Sequence, residues 1–184
     1  MAESLVRRAL LAISGGLLMV GRTRAAGGPG SAYDFTFPAL EGGDLRLADF
    51  RGQVLLVVNT ASFCGFTPQF RALEALHARY RARGFAVIGV PSNDFNQEAA
   101  DAAKVRAVCD TFDVDFPLAA ISHVKGDEAH PFFRWVAAQS TAPRWNFHKY
   151  LIAADGRFLQ DFATRTTPDD VALVQAIEGA LSRS

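Results

Sequence analysis

Two kinds of apolar pattern organise the chain. Val54-Leu55-Leu56-Val57-Val58 and Phe85-Ala86-Val87-Ile88-Gly89-Val90 are short, nearly unbroken apolar runs rich in β-branched residues. Such runs predict strands covered on both faces, as in a parallel sheet. Between them Phe70, Leu73, Leu76 and Tyr80 recur at helical spacing. Thr67 and Pro68 stand where an N-cap and a first helical residue are expected. Arg81-Ala82-Arg83-Gly84 supplies basic residues and a glycine at the far end. A β-helix-β crossover therefore runs from Val54 to Val90. Ahead of it, Tyr33 to Pro38 alternates like an edge strand, and Leu45-Arg46-Leu47 reads as its hairpin partner across Glu41-Gly42-Gly43-Asp44. Beyond it, Ala99 to Phe112 predicts a helix with Val105, Val108, Cys109 and Phe112 on one face. Another helix starts at His130-Pro131 and reaches about Ala138. Asp155-Gly156 is a tight-turn signal between the strands Lys149 to Ala153 and Arg157 to Phe162. Thr167-Pro168-Asp169-Asp170 opens the last helix, whose buried face is predicted as Val171, Val174, Ile177 and Leu181. The sum is an α/β domain with a central mixed sheet flanked by helices.

Residues 1–32 do not share this pattern. Arg7-Arg8 precedes an apolar stretch, Ala9 to Val20, and small residues follow at Ala25-Ala26-Gly27-Gly28 and Gly30-Ser31-Ala32. This predicts a signal peptide or export segment over 1–32 and a folded domain over 33–184. The paired arginines hint at twin-arginine export, hence a periplasmic protein with no stable membrane span after processing. Arg22 and Arg24 keep the alternatives open: a retained membrane anchor, or a cytoplasmic protein.

Composition narrows the function. A chain of 184 residues, 49% hydrophobic and 21% charged, suits one domain with a sizeable core. Lys plus Arg equals Asp plus Glu at 19 each, so nothing marks a nucleic-acid partner. His77, His123, His130 and His148 are scattered without metal-ligand spacing, and read as surface or core residues. No metal or other cofactor is expected. Candidate chemistry falls on the only two cysteines, Cys64 and Cys109. Cys64 lies in the turn leaving the carboxyl end of a buried strand, just ahead of a helix. Open α/β sheets place their chemistry at that edge, and a helix N-terminus favours thiolate. From placement alone, a nucleophile and a buried structural thiol are both open.

The same stretch carries a resemblance. Asn59-Thr60-Ala61-Ser62-Phe63-Cys64-Gly65-Phe66-Thr67 resembles the Asn-Val-Ala-Ser-x-Cys-Gly-Phe/Leu-Thr signature of the glutathione peroxidase family, which has a thioredoxin-like fold. Val90-Pro91-Ser92-Asn93-Asp94-Phe95-Asn96-Gln97-Glu98 resembles its Phe-Pro-x-Asn-Gln-Phe-Gly-x-Gln-Glu block, with Asp94 for glutamine and one residue fewer after Phe95. Trp145-Asn146-Phe147-His148-Lys149-Tyr150-Leu151 resembles its Trp-Asn-Phe-x-Lys-Phe/Tyr-Leu block. The resemblance implies a thiol-dependent peroxidase acting on hydrogen peroxide and organic hydroperoxides in oxidative-stress defence. It implies a catalytic tetrad of Cys64, Gln97, Trp145 and Asn146. It also implies that Cys109, within Cys-x-x-Phe-x-x-x-Phe-Pro, resolves the Cys64 sulfenic acid as a disulfide. The reductant would be a thioredoxin-like protein or glutathione, although no obvious basic cluster marks a glutathione site. The animal enzymes resembled here carry a long insertion near residue 140 that supports tetramers; its absence implies a monomer or weak dimer.

Other classes remain. A thiol–disulfide oxidoreductase would want Cys-x-x-Cys, but the partner position holds Thr67. A peroxiredoxin would place threonine three residues before the cysteine, where Ala61 stands. A non-catalytic peroxide sensor or thiol–disulfide relay could use the same two cysteines. Turnover separates sensor from enzyme.

Overall fold

The computed structural model describes residues 30–183. The export segment proposed for 1–32 therefore lies almost wholly outside the described residues. Six strands form: β1 (Thr36–Pro38), β2 (Asp44–Arg46), β3 (Val54–Thr60), β4 (Phe85–Pro91), β5 (Lys149–Ile152) and β6 (Phe158–Phe162). Four α-helices accompany them: α1 (Gln69–Tyr80), α2 (Ala102–Asp110), α3 (Pro131–Ala137) and α4 (Val171–Leu181). The main sheet has the order β4-β3-β5-β6. β3 pairs with β4 in parallel and with β5 antiparallel, and β5 pairs with β6 antiparallel, so the sheet is mixed.

The apolar runs are explained by this topology. Every residue of β3 and β4 is buried. Along β3, Val54, Leu56 and Val58 enter one core with Leu73 and Tyr80 of α1, Val105 and Cys109 of α2, and Ile177 of α4. Leu55 and Val57 enter a second core with Phe35, Phe37 and the α3 residues Phe132, Phe133 and Val136. Successive residues of a strand face opposite sides, so a strand covered on both sides is apolar along most of its length; in β3 the polar residues Asn59 and Thr60 come only at its carboxyl end.

Several local expectations are corrected. Tyr33 to Pro38 is not one strand. Ala32–Asp34 is a 3₁₀ turn, capped by the Ser31 hydroxyl, and only Thr36–Pro38 pairs, in a separate two-stranded sheet with β2. Leu47 begins a second 3₁₀ turn instead of ending the hairpin strand. Thr67 does not cap α1: its hydroxyl accepts from the Cys64 N–H at 3.0 Å and donates to the Ala61 carbonyl at 2.9 Å. Pro68 takes the cap position, with no side-chain bond to the helix. The helix expected over Ala99–Phe112 is shorter, α2 starting only after Asp101, whose carboxylate caps the Lys104 N–H. In α4 the buried face is Leu173, Ile177 and Ala180, while Val171 is exposed. The helix begins at Val171 with Asp170 as its cap, three residues later than Thr167-Pro168 suggested.

Candidate active site

β3 delivers the chain into the loop 61–68, and this loop is tied internally. Besides the two Thr67 bonds, the Thr67 N–H donates to the Cys64 carbonyl at 2.9 Å. The Cys64 Sγ, 6% exposed, accepts from the Phe66 N–H at 3.4 Å. Phe63, next in the chain, is 65% exposed, so the rim beside the sulfur is open and apolar.

The loop after β4 docks onto the Cys64 loop through the residues on either side of one peptide. The Phe63 N–H donates to the Gln97 carbonyl at 2.9 Å, and the Ser62 N–H donates to Glu98 Oε1 at 3.0 Å. Glu98 also accepts from the Ala99 N–H at 2.7 Å. Burial pushes the Glu98 carboxyl up, against the hydrogen bonds from Ser62 and Ala99. Asn96 adopts φ +56°, the left-handed conformation that asparagine tolerates, beside the shortened stretch of this motif. The Asp94 carboxylate holds the 123–125 segment. It accepts from the Val124 N–H at 2.6 Å, from His123 Nδ1 at 2.7 Å and from the Lys125 N–H at 3.1 Å. Burial alone would raise this carboxyl; the hydrogen bonds outweigh it and hold it low.

The third segment precedes β5. Asn146 is fully buried, and its Nδ2 donates to Gln97 Oε1 at 2.9 Å. With its oxygen engaged, the Gln97 carboxamide has its N–H donors left for another group. Trp145 is 39% exposed, and its ring lies 5.2 Å from that of Phe95. Thus Gln97 is bound by its backbone to the residue preceding Cys64 and by its side chain to Asn146. The loops that carry Gln97 and Trp145-Asn146 are thus hydrogen-bonded to each other, and the Gln97 loop to that of Cys64 through Phe63 and Ser62.

Cys109 is elsewhere on this core. It sits on the buried face of α2, 1% exposed, and both cysteines are free thiols. Burial pushes its thiol up to about 12, with the nearby Arg106 opposing. In this conformation Cys109 is a protonated core residue. The histidines are spoken for: His77 Nδ1 accepts from the Val87 N–H at 3.3 Å, His130 caps α3, and His148 meets Asp161 at 2.7 Å. Among the described residues no group of three or more His, Cys, Asp or Glu could hold a metal ion.

Residue reasoning overlooked the side chains behind these groups. Asn59, Glu98, Lys149 and Thr164 are all buried beside the loops just described. Three of them stood in plain view inside the motifs; Thr164 carried no signal. It also overlooked Arg144 and Arg165, far apart in sequence, which line one cavity of about 380 Å³ with His148 and Thr164.

A mixed sheet with a single loop cysteine and amide donors defines the class of thiol-dependent enzymes built on the thioredoxin-like fold. The model for the glutathione peroxidase family matches residues 32–137. A hydroperoxy fatty acid reductase of Synechocystis sp. is 39% identical over 153 residues, covering 76% of this chain and 90% of that protein. A glutathione peroxidase of Lactococcus lactis subsp. cremoris is 38% identical over 146 residues, covering 76% and 93%. Among solved structures, Trgpx in its apo form superposes with a TM-score of 0.69 at 31% identity, covering 83% of this chain and 97% of that one. The chain belongs to the glutathione peroxidase family. It is a peroxidase that acts on hydroperoxides and takes its electrons from a thiol. Among the described residues, no helix is long and apolar enough to cross a membrane.

Proposed function

We propose that the enzyme works through two cysteines, with Cys64 as nucleophile and Cys109 as resolving thiol. The Cys64 thiolate attacks one oxygen of the O–O bond. The bond breaks, the sulfur becomes sulfenic acid, and the departing oxygen takes a proton to leave as water or alcohol. Gln97, Trp145 and Asn146 supply neutral N–H donors to sulfur and to the departing oxygen, which stabilises developing charge without blunting the nucleophile. Cys109 then displaces hydroxide from the sulfenic sulfur, giving the disulfide and water. An external dithiol restores both thiols. The observation that carries this reading is the double attachment of Gln97, to Phe63 and to Asn146, which seats a carboxamide beside the Cys64 loop.

Because Cys109 is buried on α2, closing the disulfide requires that helix to open. That opening suits a protein dithiol of the thioredoxin type as donor. Glutathione is the second reading, favoured by the Arg144–Arg165 cavity, where two guanidiniums can meet carboxylates. The name of the Synechocystis relative favours fatty acid hydroperoxides among the substrates. Removal of such peroxides serves defence against oxidative stress. The enzyme acts as a monomer or weak dimer. Residues 1–32 direct export to the periplasm, where a membrane-linked thiol donor replaces cytosolic thioredoxin. Ala32 is fully buried and the Ser31 hydroxyl caps its turn, which favours processing ahead of Gly30 over cleavage before Tyr33 and moves the start of the folded domain from residue 33 to about residue 30.

Steady-state peroxide consumption tests the cycle, with thioredoxin and its reductase or with glutathione as donor, beside Cys64→Ser and Cys109→Ser. Thioredoxin-driven turnover lost in both variants is the expected result. Glutathione-driven turnover that survives Cys109→Ser would remove Cys109 from the cycle. Stoichiometric oxidation without turnover would point to a sensor.

A further inference from the structure

Three successive carbonyls next to the thiol loop each accept a hydrogen bond from a different buried side chain. The Trp145 carbonyl accepts from Asn59 Nδ2 at 3.1 Å, that of Asn146 from Thr164 Oγ1 at 2.8 Å, and that of Phe147 from Lys149 Nζ at 2.7 Å. The donors come from β3, from the segment just past β6, and from β5. Asn59 and Lys149 are fully buried and Thr164 is 8% exposed. The backbone needs this help because Phe147 sits at φ +62°. A bulky residue in the left-handed region costs roughly 1–3 kcal/mol and persists only where its surroundings over-determine it. Here they do: the Phe147 N–H donates to the Asn59 carbonyl at 2.6 Å, and the His148 N–H donates to Asn59 Oδ1 at 3.0 Å.

The three donors are themselves anchored on both sides of Cys64. Asn59 lies at the end of β3, which runs directly into the Cys64 loop. Its side chain bridges the Trp145 carbonyl and the His148 N–H, so it spans the whole bend. The Thr164 carbonyl accepts from Gln69 Nε2 at 2.8 Å, and Gln69 is the first residue of α1, which leaves that loop. Asn146 in turn holds Gln97. The lines of attachment therefore run from either flank of Cys64, through buried polar side chains, to the indole and the two carboxamides.

We propose that Asn59, Thr164 and Lys149 are positioning residues for peroxide reduction, which fix Trp145 and Asn146 relative to Cys64 by gripping the backbone carbonyls of residues 145–147. The proposal rests on the reading of Cys64 as the nucleophile. The three residues touch neither sulfur nor peroxide; they act through the loop they hold. Amide and indole donors stabilise a departing oxygen only when aimed at it beforehand, and a misplacement of about 1 Å costs as much as a hundredfold in rate.

The test uses the full chain carrying Cys109→Ser, so that only the first oxidation is read. Stopped-flow tryptophan fluorescence after mixing with hydrogen peroxide gives the second-order constant. Thr164→Val keeps the shape of the side chain and removes the donor to Asn146. It is expected to lower the constant about tenfold or more while urea unfolding still shows a cooperative fold. Thr164→Ser, which keeps the hydroxyl and loses the methyl group, recovers most of that loss; a purely packing role would give the opposite order. Asn59→Asp keeps the acceptor for the His148 N–H, removes the donor to Trp145, and carries the same comparison should Thr164→Val fail to fold. A folded Thr164→Val protein whose constant stays within about twofold of the parent overturns the proposal. A parent that does not react with peroxide overturns both the proposal and the assignment of Cys64, so the two failures are told apart.

Discussion

Truncating a core residue of α2 is expected to speed one step of catalysis. Val105 is 1% exposed and faces the core that holds Cys109. On the proposed two-cysteine cycle Cys109 must leave the buried face of α2 before the disulfide closes, so the closing rate follows the population of the opened helix. α2 spans nine residues, fewer than the roughly 12–15 that hold an isolated helix in water, so once undocked it loses its helical bonds as well. Val105→Ala removes two buried methyl groups from the docked state and nothing from the opened one. At about 0.8 kcal/mol per buried carbon, the docked state loses about 1.6 kcal/mol, before any cavity term. With one factor of ten per roughly 1.4 kcal/mol, the opened population rises about 15-fold. Hydrogen exchange read by mass spectrometry on the 102–110 peptide measures the opening. Acid-quenched thiol counting after one equivalent of peroxide measures disulfide closure. Both are expected to accelerate by about the same factor, with Cys64 oxidation itself unchanged. Faster exchange with unchanged or slower closure would refute the argument that undocking gates the disulfide.

Three further outcomes follow from burial. Lys149 is pushed down to about 7 by desolvation, from an ordinary value near 10.5. Between those values the unfolded chain holds a proton that the folded chain does not, so this group's contribution to stability rises with pH through that window. Urea unfolding at pH 7 and pH 10 should therefore show the wild type gaining on Lys149→Met as pH rises, and a constant difference would argue against a buried neutral amine. Cys109, pushed up to about 12, should resist alkylation at pH 8 in the native reduced protein and react fully in denaturant, which peptide mass mapping can read. Gly89→Ala would bring a Cβ to 2.6 Å from Leu118 Cδ2 and 3.0 Å from Phe116 Cε2, so a loss of about 1–3 kcal/mol is expected in thermal or urea unfolding, with a loss below about 0.5 kcal/mol counting against the clash.

How far residues alone reach is clear from particular places. β3 and β4 were legible because a two-sided core makes them continuous apolar runs up to the Asn59-Thr60 end of β3, and the hairpin of β5 and β6 because Gly156 at φ +86° sits where Asp155-Gly156 predicts a turn. Thr67 misled because a threonine before a proline looks like a cap, whereas its hydroxyl is committed to the loop, accepting from the Cys64 N–H and donating to the Ala61 carbonyl. The α4 face was mis-phased because Ala180 is too small to register as core, while Val171 is large and apolar yet outside it. At the candidate site, the motifs marked Cys64, Gln97, Trp145 and Asn146. The supporting polar residues went unseen for a physical reason. A lysine in a strand is expected in water, and only the fold shows that the partner of Lys149 is the Phe147 carbonyl. Glu98 likewise looks like an ordinary loop acid until its two backbone partners are known.

The attachment of Gln97 and Glu98 also draws a boundary within one continuous segment. The bonds that hold this pair run to Phe63, Ser62, Asn93 and Asn146; none runs to α2. Ala99 is the last residue tied in from this side, and Asp101 already belongs to the helix cap. The chain thus changes allegiance within three residues. What lies before the boundary is riveted to the Cys64 loop, and what lies after it is held by the apolar face of α2 and by the Arg106–Glu41 ion pair. On the proposed two-cysteine cycle, an arm hinged at such a seam would swing with each turnover while the residues upstream of it stay fixed, so the enzyme would not have to rebuild its site between turnovers.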